Sequence, residues 1–276
     1  SCLLATARPA NAAGLSPIFD GASLNGWVPE GPRPSFEVDQ QQIVITGRAN
    51  QPNWLRTERE YENFRLHFEY KLSQWAEAAV ILRAPRAGRP SQSGLALYLA
   101  HDYHPVGGAR STGAITGVKA PAQALKPSYD EWHSVDLSLN GDQFSATIDG
   151  VKVQDCRLSS DPDLAQRLRR GFIGFPDFGY KYWLRNVRLE DLGESAKLIN
   201  PLANGLQGWH LRGGGQWQIR EGGILTGWGG DGVIYAPGDY KDFELSLLVR
   251  TQEWANSGVF LRGSPDPKQS RGFEIQ

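Results

Sequence analysis

The sequence contains two similar segments in tandem, and this internal repetition restricts the possible fold more than any other feature. QWAEAAVILR at residues 74–83 matches EWANSGVFLR, which lies 179 positions later in the sequence. Four further pairs of segments keep the same order: 24–27 with 206–209, 36–47 with 217–227, 61–70 with 240–249, and 93–98 with 271–276. Because chance similarity does not preserve the order of five segments, the pattern indicates a tandem repeat of one domain.

The repeat also sets the expected domain boundaries. We predict a first domain over residues 15–192, a linker over residues 193–197 and a second domain over residues 198–276. The first copy continues well beyond the segment that matches the end of the sequence. We therefore expect the second copy to be incomplete and to continue beyond Gln276, because half a β-domain would expose unpaired strand edges.

Residues 1–14 resemble the end of a secretory signal peptide. They combine a short apolar run, no acidic residue and an A-N-A ending. We expect export to the periplasm or the medium, and a lipid anchor at Cys2 on the cell envelope is left open.

The pattern of apolar residues predicts an antiparallel β fold. FRLHFEYKL at 64–72 alternates strictly between apolar and polar residues, as in a strand that is buried on one face. Asn140-Gly141 and Asp149-Gly150 separate three further strand-like runs and predict two type I′ hairpins. One helix is expected after a cap at Ser160 or Asp161, ending before Gly171. Many short strands with one helix are typical of an all-β, two-sheet jelly-roll sandwich.

Charge and hydropathy exclude two classes of partner. The 29 basic and 30 acidic residues nearly cancel, so no basic surface for nucleic acid is indicated. No apolar stretch is long enough for a transmembrane helix. Cys2 and Cys156 have no metal-ligand spacing and indicate no disulfide framework, and spacing alone assigns no residue as a metal ligand.

The end of the second copy places several polar residues on one strand face. In GFEIQ, Glu274 and Gln276 point to the side opposite Phe273 and Ile275. If the preceding strand is regular, Asn256 and Arg262 share a face as well. These residues would then form a polar concave surface, although side chains on the outer face of a sandwich also commonly face water.

The first copy differs at most of these positions. Glu77 replaces the asparagine, Ala96 replaces the glutamate and Tyr98 replaces the glutamine, while Arg83 matches the arginine. The first copy therefore lacks the carboxylate at this position, and we expect it to be non-catalytic. Aromatic rings at five other positions are candidates for stacking on sugars: Trp54, Trp75, Trp132, Trp183 and Trp254.

Seven motifs in order resemble the bacterial 3-keto-disaccharide hydrolase domain family. They are F-D-G-x-S-L-x-G-W, Y-x-(N/D)-F-x-L, N-S-G-V-F-L-R, G-F-E-I-Q, S-T-G-A-I, E-W-H, and G-F-I-G-F-x-D-x-G followed by W-L-R-N-V-R-L. The resemblance implies a concanavalin-like or laminin-G-like sandwich and an exported bacterial protein that acts on oxidised glycosides. A ketone at C3 acidifies the C2 proton, so a base can remove it while a divalent metal or hydrogen-bond donors stabilise the enolate.

The resemblance assigns roles to individual residues. It implies that Glu274 is the catalytic residue, as a base or a metal ligand, and that Gln276 and Asn256 bind the substrate. Arg262, Arg83 and Tyr98 are further candidates for substrate binding. In the first copy Phe178 stands where the family has a histidine. Two hypotheses remain: a 3-keto-glycoside hydrolase or lyase that works through the second copy, and a non-catalytic tandem carbohydrate-binding protein. Which sugar is bound, whether a metal takes part and the oligomeric state stay open.

Overall fold

A computed structural model describes residues 14–31, 35–48, 53–86, 89–100, 107–195, 199–241, 243–245, 247–264 and 272–275. The leader-like residues 1–13 and Gln276 lie outside this range, so the predictions made for them are not addressed by the structure. The chain divides into two compact units, with the boundary after Ser195. This boundary falls within the linker predicted over residues 193–197.

The first unit is built almost entirely of strands. In chain order these are β1 (Ser16–Pro17), β2 (Trp27–Glu30), β3 (Phe36–Asp39), β4 (Gln42–Thr46), β5 (Asn53–Thr57), β6 (Asn63–Leu72), β7 (Glu77–Ala84), β8 (Leu95–Ala100), β9 (His133–Asn140), β10 (Gln143–Ile148), β11 (Val151–Arg157), β12 (Phe172–Asp177) and β13 (Lys181–Gly193). Two short α-helices, α1 (Pro90–Ser93) and α2 (Pro162–Ala165), and a 3₁₀ turn at Leu158–Ser160 complete it.

The strands form two antiparallel sheets that enclose one apolar core. The larger sheet has the order β11-β10-β9-β6-β13-β4-β3, with β1 also paired to β13, and the smaller sheet has the order β2-β5-β12-β7-β8. The alternation predicted for β6 is confirmed, because Phe64, Leu66, Phe68, Tyr70 and Leu72 are all at most 1% exposed. The prediction of an all-β, two-sheet sandwich is thereby confirmed for this unit.

The two predicted hairpins differ in their turns. Asp149 and Gly150 both have positive φ, at 50° and 76°, as a type I′ turn requires. At the other hairpin Asn140 pairs with Gln143, so the turn residues are Gly141 and Asp142. Positive φ is recorded only at Gly141 (55°), which fits a type II′ turn and corrects the type I′ prediction.

The predicted helix is present but short. Asp161 caps α2, its Oδ1 accepting a hydrogen bond of 2.9 Å from the amide of Asp163, and Leu164 is buried. The helix ends at Ala165 rather than continuing towards Gly171. A single helical turn gains little from hydrogen bonding, and one buried leucine provides too little packing to stabilise a longer helix.

The described part of the second unit contains three two-stranded antiparallel pairs. They are β14 (His210–Gly213) with β17 (Gly232–Tyr235), β15 (Gln216–Arg220) with β16 (Ile224–Trp228), and β18 (Val259–Leu261) with β19 (Phe273–Ile275). The β18–β19 pair joins Phe260 to Glu274, and the β7–β8 pair joins Ile81 to Ala96, its counterpart in the sequence repeat. The same cross-strand register therefore recurs in both units.

One strand expected from the repeat is missing. Residues 243–245 and 247–251 form no strand, although they match part of β6. In the first unit β6 lies between β9 and β13 and pairs with both. The described part of the second unit has no segment in the place of β9 or β13, and a strand forms only where a neighbour accepts and donates its backbone hydrogen bonds.

Candidate functional site

Strand β8 presents two different faces, as its alternation predicts. Leu95, Leu97 and Leu99 belong to the core between the two sheets. Ala96 and Tyr98 point away from that core, onto the outer face of the smaller sheet, and both are at most 5% exposed. This outer face is the place at which the repeat puts Glu274 and Gln276 in the second unit.

Tyr98 is the centre of a polar group on this face of the first unit. Burial and a hydrogen bond with Glu77 raise the pKa of Tyr98 well above its ordinary value. Arg110 and Tyr180 are close enough to act on the same phenol electrostatically. A carboxylate therefore stands at the start of β7 rather than on β8, and it is engaged with a phenol instead of standing alone as a base.

Phe178 occupies the place of the family's histidine and follows directly after β12. Its side chain is 45% exposed. The preceding Asp177 is buried, and its Oδ1 accepts a hydrogen bond of 2.7 Å from the amide of Gly179. The aspartate stabilises the turn, and the phenylalanine offers no group that can transfer a proton.

The structure corrects the assignment of Arg83 as a substrate-binding residue. Arg83 is 1% exposed, and its guanidinium donates to two backbone carbonyls, that of Glu62 at 2.7 Å and that of Gly141 at 3.0 Å. A third contact joins it to Oδ1 of Asn63 at 3.4 Å. An arginine enclosed in this way ties the start of β6 to the β9–β10 turn and does not reach a sugar on the outer face.

In the second unit, Glu274 stands on β19 opposite Phe260 of β18. Its side chain lies across the strand above Gly258, where a Cβ would come within 2.7 Å of the carboxylate Oε1 and of the carbonyl oxygen of Ile275. Glycine at 258 therefore makes room for the glutamate. Asn256 is exposed two residues earlier, and Gln276 lies outside the described residues.

The first unit carries alanine at both positions of this pair. Ala79 matches Gly258 and Ala96 matches Glu274 in the repeat. The space that the glutamate uses in the second unit is thus taken by a methyl group in the first. Comparison of the two copies identified the loss of the glutamate but not the accompanying change from Gly258 to Ala79, although N-S-G in the second copy is replaced by E-A-A in the first.

No cluster of three or more His, Cys, Asp or Glu side chains arranged for a metal ion is present in the described part of the chain. None of its helices is long and apolar enough to cross a membrane.

Comparisons with known proteins agree with this fold and these motifs. Two crystal structures of proteins from Parabacteroides distasonis ATCC 8503, both provisionally named as glycosyl hydrolases, superpose with TM-scores of 0.57 and 0.55. Each is 19% identical in sequence, and the match covers 65% of this chain and 95% or 100% of theirs. A third from the same organism, with the same provisional name, is 15% identical and has a TM-score of 0.52, covering 65% of this chain and 84% of its own. At these identities the similarity shows the fold alone.

No curated protein sequence matches the chain significantly. A family model, that of the 3-keto-alpha-glucoside-1,2-lyase-like domain, matches residues 14–190 and 197–276. Since these two segments include nearly all of the sequence, the chain belongs to the family of 3-keto-alpha-glucoside-1,2-lyase-like domains.

Proposed function

We propose that this carbohydrate-active protein cleaves glycosides that carry a ketone at C3, and that the second unit performs the reaction. The observation that carries the proposal is the position of Glu274, whose carboxylate lies over Gly258 on an exposed strand pair in a chain of this family. The exposed carboxylate of Glu274 can act as a base, and the exposed amide of Asn256, two residues before Gly258 in the sequence, can donate a hydrogen bond.

The proposed reaction begins at C2 of the oxidised sugar. The C3 ketone makes the C2 proton acidic, and the Glu274 carboxylate removes it, so that the electron pair forms an enolate on the C3 oxygen. Amide N–H groups of Asn256 and Gln276 stabilise that negative charge. Collapse of the enolate forms the C1–C2 double bond and breaks the bond between C1 and the leaving oxygen, which takes up a proton. Addition of water to C1 and C2 of the product completes a net hydrolysis.

We assign the first unit a supporting role in carbohydrate binding. Ala96 and Phe178 replace the ionisable groups that proton transfer needs, while Tyr98 and Glu77 keep hydrogen-bonding groups on the same face. The leader-like residues 1–14 support export as the setting for this activity.

The test follows the C2 hydrogen. We expect the intact protein to release the leaving group from a 3-keto-glycoside, and to do so more slowly when C2 carries deuterium, because the C2–H bond breaks in the proposed first step. Release is measured by chromatography and the isotope at C2 by NMR. Full retention of deuterium at C2 of the hydrolysed product would contradict C2 proton abstraction. Binding of the substrate without any release would favour the non-catalytic alternative, which the exposed aromatic side chains of both units also suit.

A second prediction concerns the glycine beneath the glutamate. Gly258→Ala is expected to lower kcat by about 10- to 100-fold, because the added methyl group pushes the Glu274 carboxylate out of place and small displacements of a reacting group are costly. Steady-state kinetics measure the effect. The adjacent exposed Ser257 provides the control, since Ser257→Ala adds no atom near the glutamate. Wild-type kcat in Gly258→Ala would show that the position of the carboxylate does not matter.

A further inference from the structure

The five tryptophans that were candidates for sugar stacking fall into two groups. Trp54 is 6% exposed and is packed within an apolar cluster. Trp132 and Trp183 are covered by cations: the guanidinium carbon of Arg185 lies 4.0 Å from the first ring centre, and Lys71 Nζ lies 4.5 Å from the second. These cation–π contacts occupy the faces that a sugar would need. The three rings are therefore excluded as platforms.

Trp75 and Trp254 remain, and they occupy the same turn in the two units. In Ser73–Ala76 and in Gln252–Ala255 the amide of the last residue donates to the carbonyl of the first at 3.1 Å. The tryptophan is the third residue of each turn and has a φ of 65° in both. Positive φ at this position defines a type II turn, which normally has glycine or asparagine there.

A tryptophan in this conformation is unfavourable for the fold. Bulky side chains rarely adopt positive φ, because the Cβ approaches the neighbouring carbonyl. Much of each ring is nevertheless exposed, 52% for Trp75 and 95% for Trp254. Strained backbone at residues with exposed side chains is a common feature of ligand-binding sites, so the shared conformation of the two tryptophans indicates a role in binding.

Each turn also has a polar side chain two residues later. In the first unit it is Glu77, whose hydrogen bond with Tyr98 places a carboxylate and a phenol beside the turn. In the second unit it is the exposed Asn256. A flat aromatic face next to a hydrogen-bonding group matches a pyranose ring, which has apolar C–H faces and hydroxyl groups at its rim.

We propose that Trp75 and Trp254 are sugar-stacking platforms, one in each unit, that bind a pyranose of an oligosaccharide chain. The proposal rests on the carbohydrate class of the proposed function but not on catalysis. It assigns to each unit a binding position outside the set of residues that transfers protons, and it requires no keto group on the bound sugar.

The experiment separates backbone strain from binding. In Trp75→Gly/Trp254→Gly we expect a higher Tm, because glycine adopts positive φ without strain. We expect the affinity for maltotriose and cellotriose to fall by about tenfold or more, because the stacking surface is lost. Both sugars are neutral and unoxidised, so their binding is read by isothermal titration without turnover. Trp75→Asn/Trp254→Asn tolerates the same backbone and repeats the test in a second background.

Gln41→Gly is the matched control. Gln41 also has positive φ, at 61°, in the β3–β4 turn. Gln41→Gly should therefore raise the Tm as the tryptophan variants do, but leave the affinity for both trisaccharides unchanged. If the glycine double variant binds a trisaccharide as tightly as the wild type, or if the wild type binds neither sugar, the proposal is overturned. If the tryptophans are needed for binding while 3-keto-glycosides are not cleaved, the platforms stand and the proposed reaction fails.

Discussion

Glu274→Gln is expected to reduce the turnover of 3-keto-glycosides by about 10²- to 10⁴-fold, which is the usual effect of losing a general base. Glutamine keeps the size and the hydrogen-bonding reach of the side chain but cannot accept the C2 proton. Because Glu274 is exposed at the edge of a two-stranded pair, its replacement should leave the Tm nearly unchanged. The comparison requires kcat and Tm measured on the full chain.

The design of this experiment also tests the first unit. Glu221 is an exposed glutamate in the β15–β16 turn of the second unit, so Glu221→Gln makes the same chemical change away from the proposed base and should retain full activity. If the first unit is non-catalytic, the turnover that remains in Glu274→Gln should not fall further when Glu77 is also replaced. Wild-type turnover in Glu274→Gln would remove the assignment of this residue as the base.

Alternation of apolar residues predicted those parts of the fold in which a strand has one buried face. For β6 it assigned the core-facing side chains correctly, from Phe64 to Leu72. The pattern performs well there because a shift of one residue would expose every apolar side chain of the strand. The outward direction of the position that carries Glu274 was predicted by the same reasoning.

Local sequence patterns do not specify which strands pair with each other. Residues 243–245 and 247–251 have the residues of a strand, yet they form none, because strand formation depends on neighbours that are distant in sequence. The turn at Asn140-Gly141 was displaced by one residue for a related reason: register is set by the paired strands together and not by the turn dipeptide alone. Helix α2 was shorter than its cap suggested, since only one of its residues is buried.

The error at Arg83 has a specific structural cause. Arg83 was assigned through its match to Arg262, whose strand was assumed to be regular, but Arg83 has a φ of 49°. The pairing of β12 with β7 also shifts register between Phe172 and Gly174, opposite this part of β7. Such an irregularity re-aims a side chain. The arginine that a regular strand would have placed beside the site is therefore turned into the interior, which no property of the sequence ILRA reveals.

Arg83→Met should consequently destabilise the first unit by about 3 kcal/mol or more. Methionine fills much of the space of the aliphatic stem, but it leaves the buried carbonyls of Glu62 and Gly141 without their donors, and each buried polar group that loses its partner costs about 1–3 kcal/mol. Arg83→Lys should recover only part of the loss, since an ammonium group cannot reproduce the planar arrangement of the guanidinium donors. Chemical denaturation followed by fluorescence measures both effects.

Variants of two other arginines serve as controls for the question whether Arg83 has a structural or a ligand-binding role. Arg65 lies on β6 with a side chain that is 61% exposed, so Arg65→Met should change the free energy of unfolding by less than about 1 kcal/mol. Arg262 also has a positive φ, at 56°, but it is exposed in the second unit, so Arg262→Met should be equally mild. A stable Arg83→Met protein with weakened sugar binding would instead restore Arg83 to the binding site, because only a direct contact with the ligand would produce that combination.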